Sequence, residues 1–437
     1  MPSSTSPAQC AVRAALLTFH DDPDQFGEHA YTYLEDGIIL IEAGKIKAFG
    51  PSQSLLPLAD NCPLHDYSGH LIMPGFIDAH CHYPQLEMMA SHGKQLLDWL
   101  EHYTFPTERL FENTEHAGRI AELFLAELLR QGTTTAAVFA TVYPQSVDVF
   151  FEAAHRRNMR MLCGKVMMDS LAPEWLRDKA EQSYLDSRTL LQKWHHTGRQ
   201  LYAITPRFAL SSSAAQLKLA GELYAEFPDC YLQTHLSENQ QELALVKQAF
   251  PNCLDYLDVY DQFGLLGERS LFAHGIYLSQ REMSRLQETG SQVVFCPSSN
   301  LFLGSGLLNL QRFQDQAQAY AVGTDIGVGT SLSMLKTLAD GYKVAQLQGF
   351  SLNPLKSLYL ATLGNARALK LEDKIGSLKV GNEADLVVLD LQSSPLLALR
   401  QSRAESLEDS LFALIILGDD RSIKASFIAG ELAYQKA

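Results

Sequence analysis

A chain of 437 residues exceeds the roughly 250–300 at which one hydrophobic core usually stops growing, so a large domain with a smaller module is expected. Hydrophobic residues make up 46% and charged residues 19%, which excludes general disorder. Lys+Arg 35 against Asp+Glu 50 leaves a net charge of −15, which argues against nucleic-acid backbones and anionic membranes as partners.

In chain order, MPSSTSPAQC has no basic stretch followed by an apolar one, so no signal peptide is expected. From Ala11 to Met73 the stretches ALLTF, GIILIEAGKIKAFG and HLIMPG alternate or are briefly apolar between turn residues, which reads as β-strands. The middle, 74–372, alternates apolar runs with longer amphipathic segments. Its candidate strands are GFIDAHCH (75–82), TTAAVFATV (134–142), RMLCGKVMMD (160–169), YAITPRFAL (202–210), CYLQTHLSE (230–238), LFAHGIYL (271–278), QVVFCPSS (292–299) and AVGTDIG (321–327). Eight strands separated by helical stretches such as AGRIAELFLAELLRQG suggest an α/β fold, a (β/α)8 TIM-like barrel. The tail, 373–437, returns to strand-like segments, GNEADLVVLDL and SIKASFIAGELAY. Neither end makes a comfortable domain alone. Residues 1–73 and 373–437 are expected to build one small β-sandwich, with the barrel inserted between them.

No apolar run approaches the ~18–20 residues of a membrane span. Seven scattered cysteines without a C-x-x-C pair suit a reducing compartment. A soluble, cytoplasmic protein is expected.

Chemistry gathers at strand ends. His80 and His82, at i and i+2 on a strand, point to one face and can share a metal ion. The same parity puts Phe76 and Asp78 on that face, and Ile77, Ala79 and Cys81 on the other. His235 ends the fifth candidate strand, His274 lies in the sixth and Asp325 ends the eighth. The bland readings are a chance pair for H-x-H, a core histidine for His274 and a turn residue for Asp325. Taken together, a closed barrel brings all five to one rim, where imidazoles and a carboxylate suit Zn²⁺ or Fe²⁺ with an open position for water. Glu238, in H-L-S-E, falls just past the fifth strand, where a carboxylate can shuttle a proton; its bland reading is a solvated loop glutamate. Lys165 falls on the third candidate strand and the fourth has no lysine, so no carboxylated lysine is placed to bridge two metals. One metal is expected, with Lys165 an inward polar residue.

In this order, P-G-F-I-D-A-H-C-H, H-L-S-E, A-H-G and G-T-D resemble the amidohydrolase superfamily, and its single-metal aminohydrolase branch in particular. N-A-R-A-L (365–369) and G-N-E-A-D-L-V-V-L-D (381–390) extend the match along nearly the whole chain. A narrower resemblance is to the guanine deaminase family, through H-C-H-Y-P-Q (80–85), Q-L-L-D-W-L-E-H-Y-T-F-P-T-E (95–108), P-R-F-A (206–209), F-C-P-S-S-N-L-F-L-G-S-G (295–306), G-T-D-I-G-V-G-T-S-L-S-M-L (323–335) and L-G-D-D-R (417–421). Departures are small: Ala209-Leu210 stands where a proline is expected, and Ser298 in the C-P-S-S-N string.

What this resemblance implies is a homodimeric enzyme converting guanine to xanthine and ammonia, with one zinc per subunit (Fe²⁺ being the other metal the ligand set suits). Carried over by position, the metal ligands are His80, His82, His235 and Asp325. Glu238, His274 and Asp325 are catalytic, with a metal-activated water attacking C2 and Glu238 as proton shuttle. Gln85, Arg207, Phe208, Glu238 and His274 bind the substrate. Arg207 offers donors suited to a carbonyl oxygen, and Gln85 both donates and accepts. The bland alternatives are a surface ion pair for Arg207, a loop amide for Gln85 and core packing for Phe208. Trp99, Tyr103 and Phe105 read either as a lid over the base or as helix packing. Two other functions stay open: an aminohydrolase for another heterocycle (adenosine-like, cytosine or triazine), and a catalytically silent barrel used for assembly.

Overall fold

The computed structural model describes residues 10–59, 62–93 and 95–436; the Met1–Gln9 stretch read above for a signal peptide lies outside them. Four strands come first: β1 (Cys10–Phe19), β2 (Tyr31–Glu42), β3 (Lys45–Pro51) and β4 (Leu64–Pro74). Nine barrel segments follow: β5 (Phe76–His82), β6 (Thr133–Phe139), β7 (Arg160–Gly164), β8 (Val166–Met167), β9 (Leu201–Pro206), β10 (Tyr231–Leu236), β11 (Ser270–His274), β12 (Gln292–Phe295) and β13 (Tyr320–Val322). The chain closes with β14 (Leu386–Leu389), β15 (Ile423–Ile428) and β16 (Glu431–Gln435).

The two ends share one sheet, in the order β16-β15-β14-β4-β1-β2-β3. They meet where β14 runs antiparallel to β4, with Leu386 opposite Pro74 and Leu389 opposite Leu71. Alternation along β1 sends Val12, Ala14 and Leu16 to one buried cluster with Ile39, Leu386 and Phe427. Leu17 and Phe19, of the opposite parity, join the main core against the barrel's helices. The sheet is therefore apolar on both faces and fits the small sandwich domain expected.

All eight expected barrel strands are present and pair in parallel from β5 round to β13, with β8 continuing β7 past Lys165 to reach β9. Helices such as Thr114–Arg130 and Ala180–Trp194 separate them. Two strands stop early. β12 ends at Phe295 because Pro297 opens the short helix Pro297–Phe302, where a missing N–H costs nothing, and β13 ends at Val322, leaving Asp325 on the loop beyond.

The barrel nearly closes, and side-chain and loop bonds make the last seam. Asn365 Nδ2 donates to Ile77 O at 2.7 Å and to Val322 O at 2.8 Å, while its Oδ1 accepts from Val322 N at 2.9 Å. Above it, Asp325 N donates to His80 O at 2.8 Å and His82 N to Ile326 O at 2.5 Å. Gly323 passes so close that a Cβ there would lie 2.8 Å from His80 N, so no larger residue fits without movement. Ile77, Ala79, Leu162, Ala203, Leu271 and Val294 fill the interior.

Simple alternation along β5 does not hold. Three steps from Asp78 to Cys81 face two on β6, Ala136 to Val138, so β5 carries a bulge. Phe76 and Cys81 consequently share the outer core, while Ile77 and Ala79 share the interior. Phe76 is thus removed from the face it was expected to share with the histidines. No helix among the described residues is long and apolar enough to cross a membrane, and all seven cysteines are free thiols.

Candidate metal centre and active site

The strand ends bring four distant ligand-type residues together. Ligand atoms of His80, His82, His235 and Asp325 all lie within 4.8 Å of one another. Asp325 Oδ1 is 3.2 Å from His80 Nε2 and 3.3 Å from His82 Nε2, and His235 Nε2 is 3.2 Å from His82 Nε2. His80 Nε2 is buried and its approach to Asp325 lacks hydrogen-bonding geometry, so the nitrogen is orphaned. Burial, then the neighbouring histidines, hold the His235 imidazole well below its ordinary pKa. Burial also pulls His82 down to about 3, although Asp325 opposes the shift. Neutral rings with lone pairs aimed at a carboxylate are the protonation state that ligates a divalent cation.

Outer bonds fix the rings. His235 Nδ1 faces Arg207 O at 2.6 Å, which puts its proton there and leaves Nε2 bare. His274 Nδ1 faces Asn300 Oδ1 at 2.9 Å, so its Nε2 looks towards Glu238 Oε2 at 3.5 Å and Asp325 Oδ2 at 3.9 Å. Burial would raise the Asp325 carboxyl, but His80 and His82 beside it hold it well below the usual range. Three non-glycine residues at these strand ends adopt left-handed backbone, Ser237 (φ 51°), His274 (φ 75°) and Asp325 (φ 51°). Each costs about 1 kcal/mol or more, strain of the kind that gathers at functional sites.

Glu238 is 3% exposed, which rules out a solvated loop glutamate. Burial and then the Asp325 charge push its carboxyl up to about 8, against a hydrogen bond from Ser305 Oγ at 3.0 Å. Behind it, Glu242 Oε2 accepts the backbone N–H of Glu238 at 2.9 Å and of Asn239 at 3.1 Å, and Tyr256 donates its hydroxyl to Oε1 at 2.7 Å.

His82, His235, Asp325, His274, Glu238 and Glu242 face a cavity also lined by Gln85, Arg207, Phe208, Leu96, Leu100 and Thr104. Arg207 does not make a surface ion pair. Its Nη1 meets both oxygens of the fully buried Glu108, at 2.9 and 2.8 Å, and its guanidinium stacks on Phe105 at 5.8 Å. Gln85 is 2% and Phe208 4% exposed. The segment after β5 contributes Leu96, Leu100 and Thr104 to the cavity lining. Trp99 packs behind them against Tyr103 and Phe302. Lys165 is not directed inward: its Nζ donates to Asp178 at 2.6 Å and to Ser183, on helix Ala180–Trp194, at 3.0 Å.

Sequence reasoning gave no role to Glu108, Glu242 or Asn300. Glu108 and Asn300 stand inside the matched strings, but their partners Arg207 and His274 are far along the chain, so no local spacing marks them.

A family profile described as "Amidohydrolase family" matches residues 71–433. The chain belongs to the amidohydrolase family. Within it, a guanine deaminase of Escherichia coli (strain K12) is 49% identical over 430 residues, 98% of each chain. The solved structure of an E. coli guanine deaminase superposes with TM-score 0.95 at 48% identity, covering 98% of this chain and 100% of that one. A guanine deaminase from C. acetobutylicum, solved with guanine in its active site, gives 0.87 at 28% identity, covering 98% and 100%. An adenosine deaminase from Xanthomonas campestris with bound zinc gives 0.83 at 25% identity, covering 98% and 93%.

Proposed function

We propose that this protein hydrolyses guanine to xanthine and ammonia with one Zn²⁺ per subunit. The observation that carries the reading is the cluster of His80, His82, His235 and Asp325 opening, through Glu238 and His274, onto a cavity lined by Gln85, Arg207 and Phe208, in a chain 49% identical to a guanine deaminase. The orphaned His80 Nε2 and the facing nitrogens of His82 and His235 fit a cation, and three nitrogens with one carboxylate oxygen suit zinc. Such a cation, when bound, lowers the pKa of a coordinated water towards ~7.

The chain's own residues do the rest. Arg207 and Gln85 orient the base from one side and Phe208 packs against it, so that C2 faces Glu238. Glu238 takes a proton from the attacking water and delivers it to a ring nitrogen of guanine. As the C2–N bond breaks, it passes the second water proton to the departing amine, which leaves as ammonia. His274 and Asp325 hold the attacking water between them. Leu96, Leu100 and Thr104 exclude bulk water, which strengthens every polar contact inside. Homodimeric assembly and a cytoplasmic place belong to the same reading.

The test is a panel: guanine, adenine, adenosine and cytosine given to zinc-loaded protein, with xanthine and ammonia both measured. Xanthine formed from guanine alone is the expected result. Turnover of another heterocycle but not guanine would leave the metal centre standing and overturn the roles of Gln85, Arg207 and Phe208.

A further inference from the structure

Glu108 lies behind the cavity and does not line it, yet it bonds to both polar groups that would orient the base. Its oxygens accept from Arg207 Nη1, and Oε1 also accepts from Gln85 Nε2 at 3.2 Å. A carboxylate paired with a guanidinium only accepts, so the Gln85 atom facing it must be the NH₂. The Gln85 amide oxygen is thereby turned away from Glu108, and among the described residues it has no hydrogen-bond partner. Arg207 Nε and Nη2 likewise have no protein partner among the described residues. Gln85 and Arg207 both line the cavity, which therefore shows guanidinium donors beside one amide acceptor.

We propose that Glu108 is a positioning residue that fixes this donor–acceptor order and so makes the site selective for 6-oxopurines. The inference rests on the guanine reading above and adds a specificity-setting residue to it. Guanine offers a carbonyl acceptor at position 6 and an N–H donor at N1, the complement of the order displayed. A 6-aminopurine reverses both, leaving buried donors and the amide oxygen facing their own kind, the situation that polar sites reject most strongly. A Glu108 that served only to neutralise Arg207 would be indifferent to which end of Gln85 faced the cavity.

The experiment compares kcat/KM on guanine and on 2,6-diaminopurine, which keeps the 2-amino group but reverses the pair at position 6 and N1. Zinc-loaded parent protein, Glu108→Gln and Glu108→Asp are measured side by side, with metal content and melting temperature as folding controls. The amide of Glu108→Gln can itself donate to Gln85, which releases that side chain to turn over. Its kcat/KM on guanine is expected to fall about 10- to 100-fold, mostly through KM, and the guanine preference to narrow by at least about tenfold. Glu108→Asp keeps the charge beside Arg207, and only a carboxylate demands the NH₂ of Gln85, so it should recover part of the preference. Equal losses on both substrates, with the preference intact, would overturn the inference and leave charge neutralisation as the role of Glu108. Should Glu108→Gln fail to fold, Gln85→Met keeps Glu108 and removes the amide acceptor together with the NH₂ that Glu108 holds, and an unchanged preference in that variant would overturn the inference equally. A parent protein silent on guanine would overturn the functional reading and this one with it; an active parent with unchanged preferences in the variants overturns this one only.

Discussion

At the scale of single residues, the site is a contest between burial and charge. Three carboxyls, Glu238, Glu242 and Asp325, share one low-dielectric region, and only Asp325 stands against both His80 and His82, which hold it well below the usual carboxylate range. Glu238 is left near pH 8, poised to exchange protons. Replacing Glu238 by Gln keeps the shape and removes the proposed proton shuttle; kcat on guanine should fall at least ~10³-fold, with metal content by elemental analysis unchanged. A variant of near-normal rate would sink the assignment. The raised pKa also has a stability consequence in metal-free protein. A carboxyl raised on folding contributes stability that is present below its unfolded pKa, near 4.5, and lost as pH rises through about 8. Glu238→Gln, having no proton to lose, should therefore gain in melting temperature on the metal-free parent as pH is raised from about 5 to 8. A difference independent of pH would show that Glu238 does not titrate there.

At the scale of elements, the gathering of His80, His82, His235 and Asp325 was legible because each lies on or just past a strand of a regular α/β pattern, and a barrel carries such ends to one rim. The parity argument along β5 was not. It assumed an unbroken pleat, and the bulge between Asp78 and Cys81 is set by the fit to β6, which no pattern inside β5 reveals. Glu108 and Asn300 were illegible for a related reason: their roles come from partners 99 and 26 residues away. Asn365, quoted only as part of a family string, turns out to seal the seam between β5 and β13. Asn365→Ala would leave three buried backbone groups without partners and is expected to cost about 3 kcal/mol or more in urea unfolding. A loss under about 1 kcal/mol would mean that the seam closes without it.

At the scale of the whole molecule, the terminal sheet is fastened to the barrel by charge as well as by apolar packing. Glu383, just before β14, accepts from Arg160 and Arg199, and Arg199 also reaches Asp385. Both guanidiniums are nearly buried. Glu383→Ala leaves Arg160 without its carboxylate and Arg199 with only Asp385 and the Asn158 carbonyl, and a loss of about 3 kcal/mol in global stability is expected, read from the unfolding midpoint. An unchanged midpoint would show that the sheet is held by its apolar face. Composition and strand style at the two ends made this arrangement visible before any contact was known. The arginine and carboxylate pairs that secure it were not, since the chain separates them by about 200 residues, and nothing local distinguishes them from surface charges.

A single metal site at the barrel rim, on which turnover depends, is the central expectation for this protein. The most direct measurement titrates Zn²⁺ into chelator-treated protein while following xanthine formation. Activity should be absent without metal, rise in proportion to metal bound and saturate at one equivalent per subunit, with His235→Ala losing both binding and activity. Full turnover by metal-free protein, or saturation only at two equivalents, would contradict it.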